Sequence, residues 1–161
     1  MKIPDSFTPM RGYRTWALGF GKLWSAAGPE KVAWPVSEPL RAACLKHGYP
    51  SFINARLPEH LAPAPQCSCG IHAAYAPWDM GIEQPRPPWS LISGRVEGWG
   101  RVAVGEKGFR AELARPLELF FEQWWDEGMW GTAARAARAY GIPLTSLEDS
   151  LLSTTSAPDR T

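Results

Sequence analysis

The sequence predicts an α+β fold: a small, curved, mostly antiparallel sheet or partial β-barrel, a zinc-pinned loop region and C-terminal helices. Three observations carry this expectation. Leu91 to Val104 alternates with a period of two, the pattern of a strand. The chain's three cysteines and three histidines all fall between Cys44 and His72. Leu117 to Asp126 carries apolar residues at helical spacing, and the Ala-rich Thr132 to Tyr140 resumes as a helix closed by Gly141.

A chain of 161 residues, 45% hydrophobic and 20% charged, suits one globular domain over 1–152 with a short flexible tail, 153–161. The net charge of +1 argues against a strong nonspecific grip on nucleic acid. The charge is unevenly spread: residues 1–48 hold seven Lys and Arg against three Asp and Glu. Nine tryptophans are many for so small a core, and Trp is enriched in binding surfaces. The N-terminal Met-Lys-Ile-Pro-Asp lacks a signal peptide's apolar run, and no window approaches the ~18 apolar residues of a membrane helix. A cytoplasmic location with reduced thiols is the expectation.

Taken in order, Tyr13 to Phe20 reads as a first strand, Gly21-Lys22 as its turn and Leu23 to Ser25 as the return. Gly28-Pro29 punctuates the chain, and Val32 to Pro35 is a short extended piece. Ser37-Glu38-Pro39 opens a helix with Leu40, Ala43 and Cys44 on one face, ending at Gly48. Tyr49 to Gln66 is proline-rich and irregular. Gly70 to Tyr75 suggests one or two helical turns, and residues 77–90 form a surface loop with four prolines. The strand Leu91 to Val104 pairs through a Gly105–Gly108 loop with Phe109 to Ala114, and Pro116 closes the β region. Leu117 to Asp126 is an aromatic helix, interrupted at Gly128 and Gly131. A second helix resumes at Thr132, and a last one starts near Ser146.

The chemistry concentrates in His60-Leu-Ala-Pro-Ala-Pro-Gln-Cys67-Ser-Cys69-Gly-Ile-His72. Zinc takes four sulfur or nitrogen ligands in a tetrahedron, and an odd cysteine count with C-x-C spacing fits ligation better than a disulfide framework. Gly70 permits the sharp turn that C-x-C ligation needs. The preferred set is Cys44, His60, Cys67 and Cys69. His47 and His72 compete as fourth ligand, since each stands three residues after a cysteine. The plain alternative is three small buried thiols without metal. Four protein ligands leave no position for a reacting water, so the site reads as structural. A catalytic site would use three ligands, with Glu59 the nearest carboxylate in sequence. No zinc-protease helix and no deaminase spacing is present.

A second constellation is aromatic and basic: Arg14, Trp16 and Trp34 early in the chain, then Trp99, Arg101 and Arg110 in the hairpin. On one face these would stack bases and meet phosphates. The plain alternative is an ordinary sheet with Trp inside and Arg outside. Arg110 and Glu112 share a strand face and are expected to pair. Trp124, Trp125 and Trp130 offer a further patch for a protein partner.

Gly12-Tyr13-Arg14-x-Trp16, His60-x-Ala62-Pro63, Cys67-x-Cys69-Gly70-Ile71-His72-Ala73, Gly98-Trp99-Gly100-Arg101-Val102 and Gly108-Phe109-Arg110-Ala111-Glu112 resemble a group of uncharacterised actinobacterial and phage proteins. The resemblance spans Gly12 to Pro116. It implies His60 as fourth ligand over His47, and His72 at a position often Tyr. It implies no activity.

The functional expectation is a non-enzymatic binding module with a structural zinc, recognising nucleic acid (including an unusual base) or a protein segment through a Trp/Arg face. The alternatives are a small zinc-dependent hydrolase, and a phage or host interaction factor acting through the C-terminal Trp-rich helices.

Overall fold

The computed structural model describes residues 5–26, 32–44, 60–80 and 90–155. It is mostly strands, with two short helices and a curved sheet that does not close into a barrel. The strands are β1 (Asp5–Gly19), β2 (Lys22–Ser25), β3 (Leu40–Arg41), β4 (Ile71–Ala74), β5 (Ser90–Val104), β6 (Gly108–Phe121) and β7 (Leu144–Ser146); the helices are α1 (Glu127–Tyr140) and α2 (Leu147–Thr155). The sheet runs β2-β1-β4-β6-β3, with β5 paired to β1 and β6, and β7 paired to β6. The pairings β1–β2, β1–β4, β3–β6 and β4–β6 are antiparallel, while β6–β7 is parallel.

The chain divides into two compact units. The first comprises Met1–Arg14, Ser37–Gly81 and Arg95–Arg115; the second comprises Thr15–Val36, Ile82–Gly94 and Pro116–Thr161.

In the first unit, β4 lies between β1 and β6, with Tyr13 opposite Ala74 and Ile71 opposite Ala111. The expected helical turns at Gly70–Tyr75 are therefore a strand. Helix propensity in this Ala-rich run is only a weak prior, and two flanking ladders satisfy the backbone groups that a lone helical turn would leave open. The helix expected at Ser37–Gly48 is also absent over its described part. Leu40 and Arg41 pair with Ala114 and Leu113, and Ala42 N–H donates to Glu112 O at 2.7 Å. The edge of β6 outcompetes intrahelical bonding there. Residues 45–48, including His47, lie outside the described residues, as do Gly28-Pro29, Glu59 and 81–89 of the expected surface loop.

In the second unit, β1 turns into β2 through Phe20 and Gly21, at φ 53° and 69°. Two successive left-handed residues match the twist of a two-residue hairpin. Trp34 N–H donates to Leu23 O at 2.8 Å, which adds the expected extended piece at Val32–Pro35. Trp16 and Trp34 are 0% and 1% exposed and pack edge to face, with ring centroids 5.4 Å apart. Such a pair contributes about 0.5–1.5 kcal/mol beyond its buried area.

The sequence reading fails at Leu117. Pro116 does not end the β region; β6 continues to Phe121, with Leu119, Phe120 and Phe121 opposite Leu144, Thr145 and Ser146. A Leu/Phe run suits either periodicity, and β7 supplies a ladder that the helix would forgo. The helix begins instead at Asp126, whose carboxylate accepts from Met129 N–H at 2.8 Å, and it runs through Gly128 and Gly131 to Gly141. Trp124 thus lies in a turn and is exposed, while Trp130 sits on α1. Helix α2 reaches Thr155, into the expected tail. Among the described residues no helix is long and apolar enough to cross a membrane.

Candidate metal centre

In the first unit, Sγ of Cys44, Cys67 and Cys69 and a ring nitrogen of His60 all lie within 4.8 Å of one another. Among the described residues no other such group of His, Cys, Asp or Glu comes together. Cys44 arrives three residues after β3, carried by the strand pairing of Leu40 and Arg41. His60, Cys67 and Cys69 arrive on the irregular segment that precedes β4. That segment turns at Cys67, whose N–H donates to Ala64 O at 3.2 Å. It turns again at Gly70, at φ +119°, a conformation that L residues rarely adopt. Ala62 and Pro63, joined by a cis peptide, are buried beneath it.

Distances test whether an ion fits. On a tetrahedron, zinc–sulfur bonds of about 2.3 Å and zinc–nitrogen bonds of about 2.0–2.1 Å set sulfurs about 3.8 Å apart and sulfur from nitrogen about 3.6 Å. Cys44 Sγ stands 3.7 Å from Cys67 Sγ, and Cys69 Sγ stands 3.4 Å from His60 Nε2. The cluster is compatible with zinc. A disulfide needs sulfurs about 2.05 Å apart, and all three cysteines are free.

Electrostatics point the same way. Burial pushes the Cys67 thiol up, but hydrogen bonds from Cys69, Cys44 and His60 outweigh it and bring it down to about 6. Burial, together with the charge that would accumulate on Cys67 and Cys44, pushes Cys69 up to about 11. One thiolate forms readily and the next is resisted by the first. A divalent cation removes that conflict, because three thiolates around it leave a net charge of only about −1.

The sheet holds this segment through arginines. Arg110 Nη1 donates to Cys67 O and, at 2.8 Å, to Cys69 O. Arg14 Nη1 donates to His72 O at 2.6 Å, and Arg101 Nη2 reaches Ala62 O at 3.5 Å. Desolvation lowers the Arg14 guanidinium to about 10. The expected Arg110–Glu112 pair does not form: Glu112 pairs with Arg41 at 2.5 Å and with Arg101 at 3.9 Å. Although both sit on one strand face, the carbonyls of the C-x-C turn capture Arg110. Ordinary strand periodicity carries no signal for such a long-range bond.

His72 stands outside the donor cluster. Its Nε2–H donates to Ser68 O at 2.7 Å, and burial, then the charges of Arg14 and Arg110, lower its pKa.

Of the aromatic and basic set, Trp16 and Trp34 are buried. They form core of the second unit, because two large apolar rings gain most by mutual burial. Arg101 and Arg110, in the first unit, donate to carbonyls of the segment that carries His60, Cys67 and Cys69, and Arg14 donates to His72 O of β4. Trp99, half-buried, has the Arg115 guanidinium 5.9 Å from its ring centroid, and Arg115 Nη2 in turn pairs with the buried Glu97 at 2.7 Å. A surface feature passed over in the sequence is Trp78, exposed in the 3-10 turn Pro77–Asp79. Its signal was present: a tryptophan directly after proline, in a segment read as loop.

Comparison of the chain with family models, curated proteins and solved structures finds no match.

Proposed function

We propose that this protein is a non-enzymatic nucleic-acid-binding module held together by a structural zinc ion. The observation that carries the reading is the Cys44–His60–Cys67–Cys69 cluster, in which four protein donors lie within 4.8 Å of one another. Four such donors complete a tetrahedral zinc shell, and a hydrolytic zinc keeps one position for water. Zinc then does the work of core: it ties β3, the irregular segment and β4 together where prolines and small residues bury little.

Charge supports nucleic acid over a protein segment. The residues of the first unit include eleven Lys and Arg against seven Asp and Glu, a net +4, whereas the second unit carries −3. A bound zinc with three thiolates lowers the first figure by about one. The basic excess therefore belongs to the unit that holds the metal cluster.

The test is metal analysis of the purified protein, followed by cobalt substitution. One equivalent of zinc and the intense visible spectrum of tetrahedral, thiolate-bound cobalt are expected. A five- or six-coordinate cobalt spectrum, or a water bound to the metal, would favour the hydrolase. A zinc-free, fully folded protein removes the proposal.

A further inference from the structure

We propose that the first unit binds single-stranded nucleic acid at an edge formed by Tyr75, Trp78 and Lys107. This rests on the nucleic-acid-binding reading above and adds the form of the ligand and its place.

Ion pairs in this unit are arranged with the carboxylate sunk and the cation outward. Glu97 is 7% exposed, and its partners Arg11 and Arg115 are 66% and 60% exposed. Glu112 is 24% exposed beside Arg41 at 66%. Asp79 is 23% exposed beside Lys107 at 76%. At these pairs an approaching phosphate meets the guanidinium or ammonium group before the paired carboxylate, although Glu38 and Glu106 of the same unit are exposed. With the unit's net charge of +4, this arrangement is complementary to a polyanion.

The same unit exposes two aromatic rings, one of which, Tyr75, lies 6.2 Å from Phe109 between ring centroids. Trp78 is 81% exposed and Tyr75 is 40% exposed. Both are on backbone held in place. Tyr75 N–H donates to Lys107 O at 2.9 Å, and the turn around Trp78 is closed by Asp79 N–H to Ala76 O and Met80 N–H to Pro77 O. The Lys107 ammonium lies 3.7 Å from the carboxylate of Asp79, the residue next to Trp78. An exposed indole on a closed turn, with a cation paired to the next residue, is the kind of unit from which single-strand platforms are built: the ring stacks a base and the cation meets the phosphate. A duplex offers no free base face, so this arrangement selects the unpaired strand.

The experiment uses the full chain, zinc-loaded, with a labelled oligothymidylate of about twenty nucleotides, read by fluorescence anisotropy at about 50 and 200 mM salt. Affinity should fall steeply with salt. Trp78→Ala should weaken binding about 5- to 100-fold, and Tyr75→Ala should weaken it less. Lys107→Ala should flatten the dependence of log affinity on log salt by about 0.7. Trp124→Ala, an exposed tryptophan of the second unit, should change nothing. Zinc content is measured in every variant, so that loss of binding is separated from loss of fold. A zinc-loaded Trp78→Ala that binds like the parent, or a duplex bound as tightly as the single strand, overturns the inference and leaves the broader reading standing. A zinc-loaded parent that binds neither nucleic acid overturns both. Binding of oligoglutamate instead would assign the edge to an acidic protein segment.

Discussion

One nitrogen of Arg110, Nη1, donates to the carbonyls of two cysteines that are themselves metal-ligand candidates, Cys67 and Cys69. It therefore sets the backbone on both sides of Ser68, and with it the directions in which the two sulfurs point. Arg110 lies on β6 opposite His72 of β4, so the C-x-C turn is referenced to the sheet as well as to its own irregular segment. Groups that orient metal ligands typically account for about 10- to 100-fold in affinity. Arg110→Ala is expected to lower zinc affinity by about that factor while all four donors remain, measured by competition with a chromophoric chelator. Unchanged affinity would show that the ligands orient themselves.

Zinc affinity should fall as pH falls. At neutral pH Cys67, brought down to about 6, is largely ionised, whereas Cys69, pushed up to about 11, still holds its proton. Metal uptake must expel that proton, so between these two values log affinity rises by at least about one per pH unit. Below about 6 Cys67 is protonated as well and the dependence steepens. Competition titrations across this range, with proton release followed in weakly buffered solution, check both the slope and the break. A flat profile would mean that no ligand thiol is protonated before zinc arrives.

Removal of one donor should be felt as stability. Cys67 is buried, and replacing it with serine leaves three donors and a hard oxygen where a thiolate stood. Cys67→Ser is expected to lose zinc on dialysis and to melt at a lower temperature, and a strong chelator should bring the parent down similarly. If the melting temperature ignores both treatments, the ion is not part of the fold.

The second unit has its own polar anchor in Tyr140. Its hydroxyl donates to Trp34 O at 2.8 Å and accepts from Leu23 N–H at 3.1 Å, and it belongs to the unit that holds both partners. Tyr140→Phe leaves the N–H of the fully buried Leu23 without that acceptor, at a cost of about 1–3 kcal/mol. Burial raises the Tyr140 pKa above its usual 10. The folded state thus holds this proton more tightly than the unfolded chain. The contribution is complete below pH 10 and is lost as pH rises through the higher folded value. Denaturant melts of parent and variant between neutral and strongly alkaline pH should converge at the alkaline end.

What could be read from the chain depended on whether a residue's type alone constrained its chemistry. Cys44, His60, Cys67 and Cys69 were nameable because thiols and imidazoles are few here and metal geometry admits few combinations. The β5–β6 hairpin was nameable because alternation over Leu91–Val104 is long. The strand at Leu117–Phe121 was hidden because its partner, Leu144–Ser146, lies far along the chain. Leu40–Arg41 was hidden for the same reason: the spacing of Leu40, Ala43 and Cys44 fits a helix, and only the edge of β6 decides otherwise. The arginines were assigned to a ligand because nothing local in Arg14, Arg101 or Arg110 tells a phosphate from a main-chain carbonyl.

Gly70 offers a test of how tightly the metal segment is constrained. It follows Cys69 directly and sits at φ +119°, and a Cβ there would lie 3.0 Å from both Arg110 Cβ and Pro63 Cβ. Gly70→Ala combines a strained backbone with a tight contact on the residue that orients the C-x-C turn. A cost of about 1–3 kcal/mol is expected from the backbone alone, together with weaker zinc binding as the sulfurs are displaced. Gly21→Ala is the matched control: φ is +69°, yet nothing lies within 4 Å of the added carbon. It should cost about 1–2 kcal/mol in the β1–β2 hairpin and leave zinc affinity as it was. Thermal melts and chelator competition on the two variants separate the effects. Equal zinc affinity in both would show that the turn after Cys69 yields without moving its sulfur.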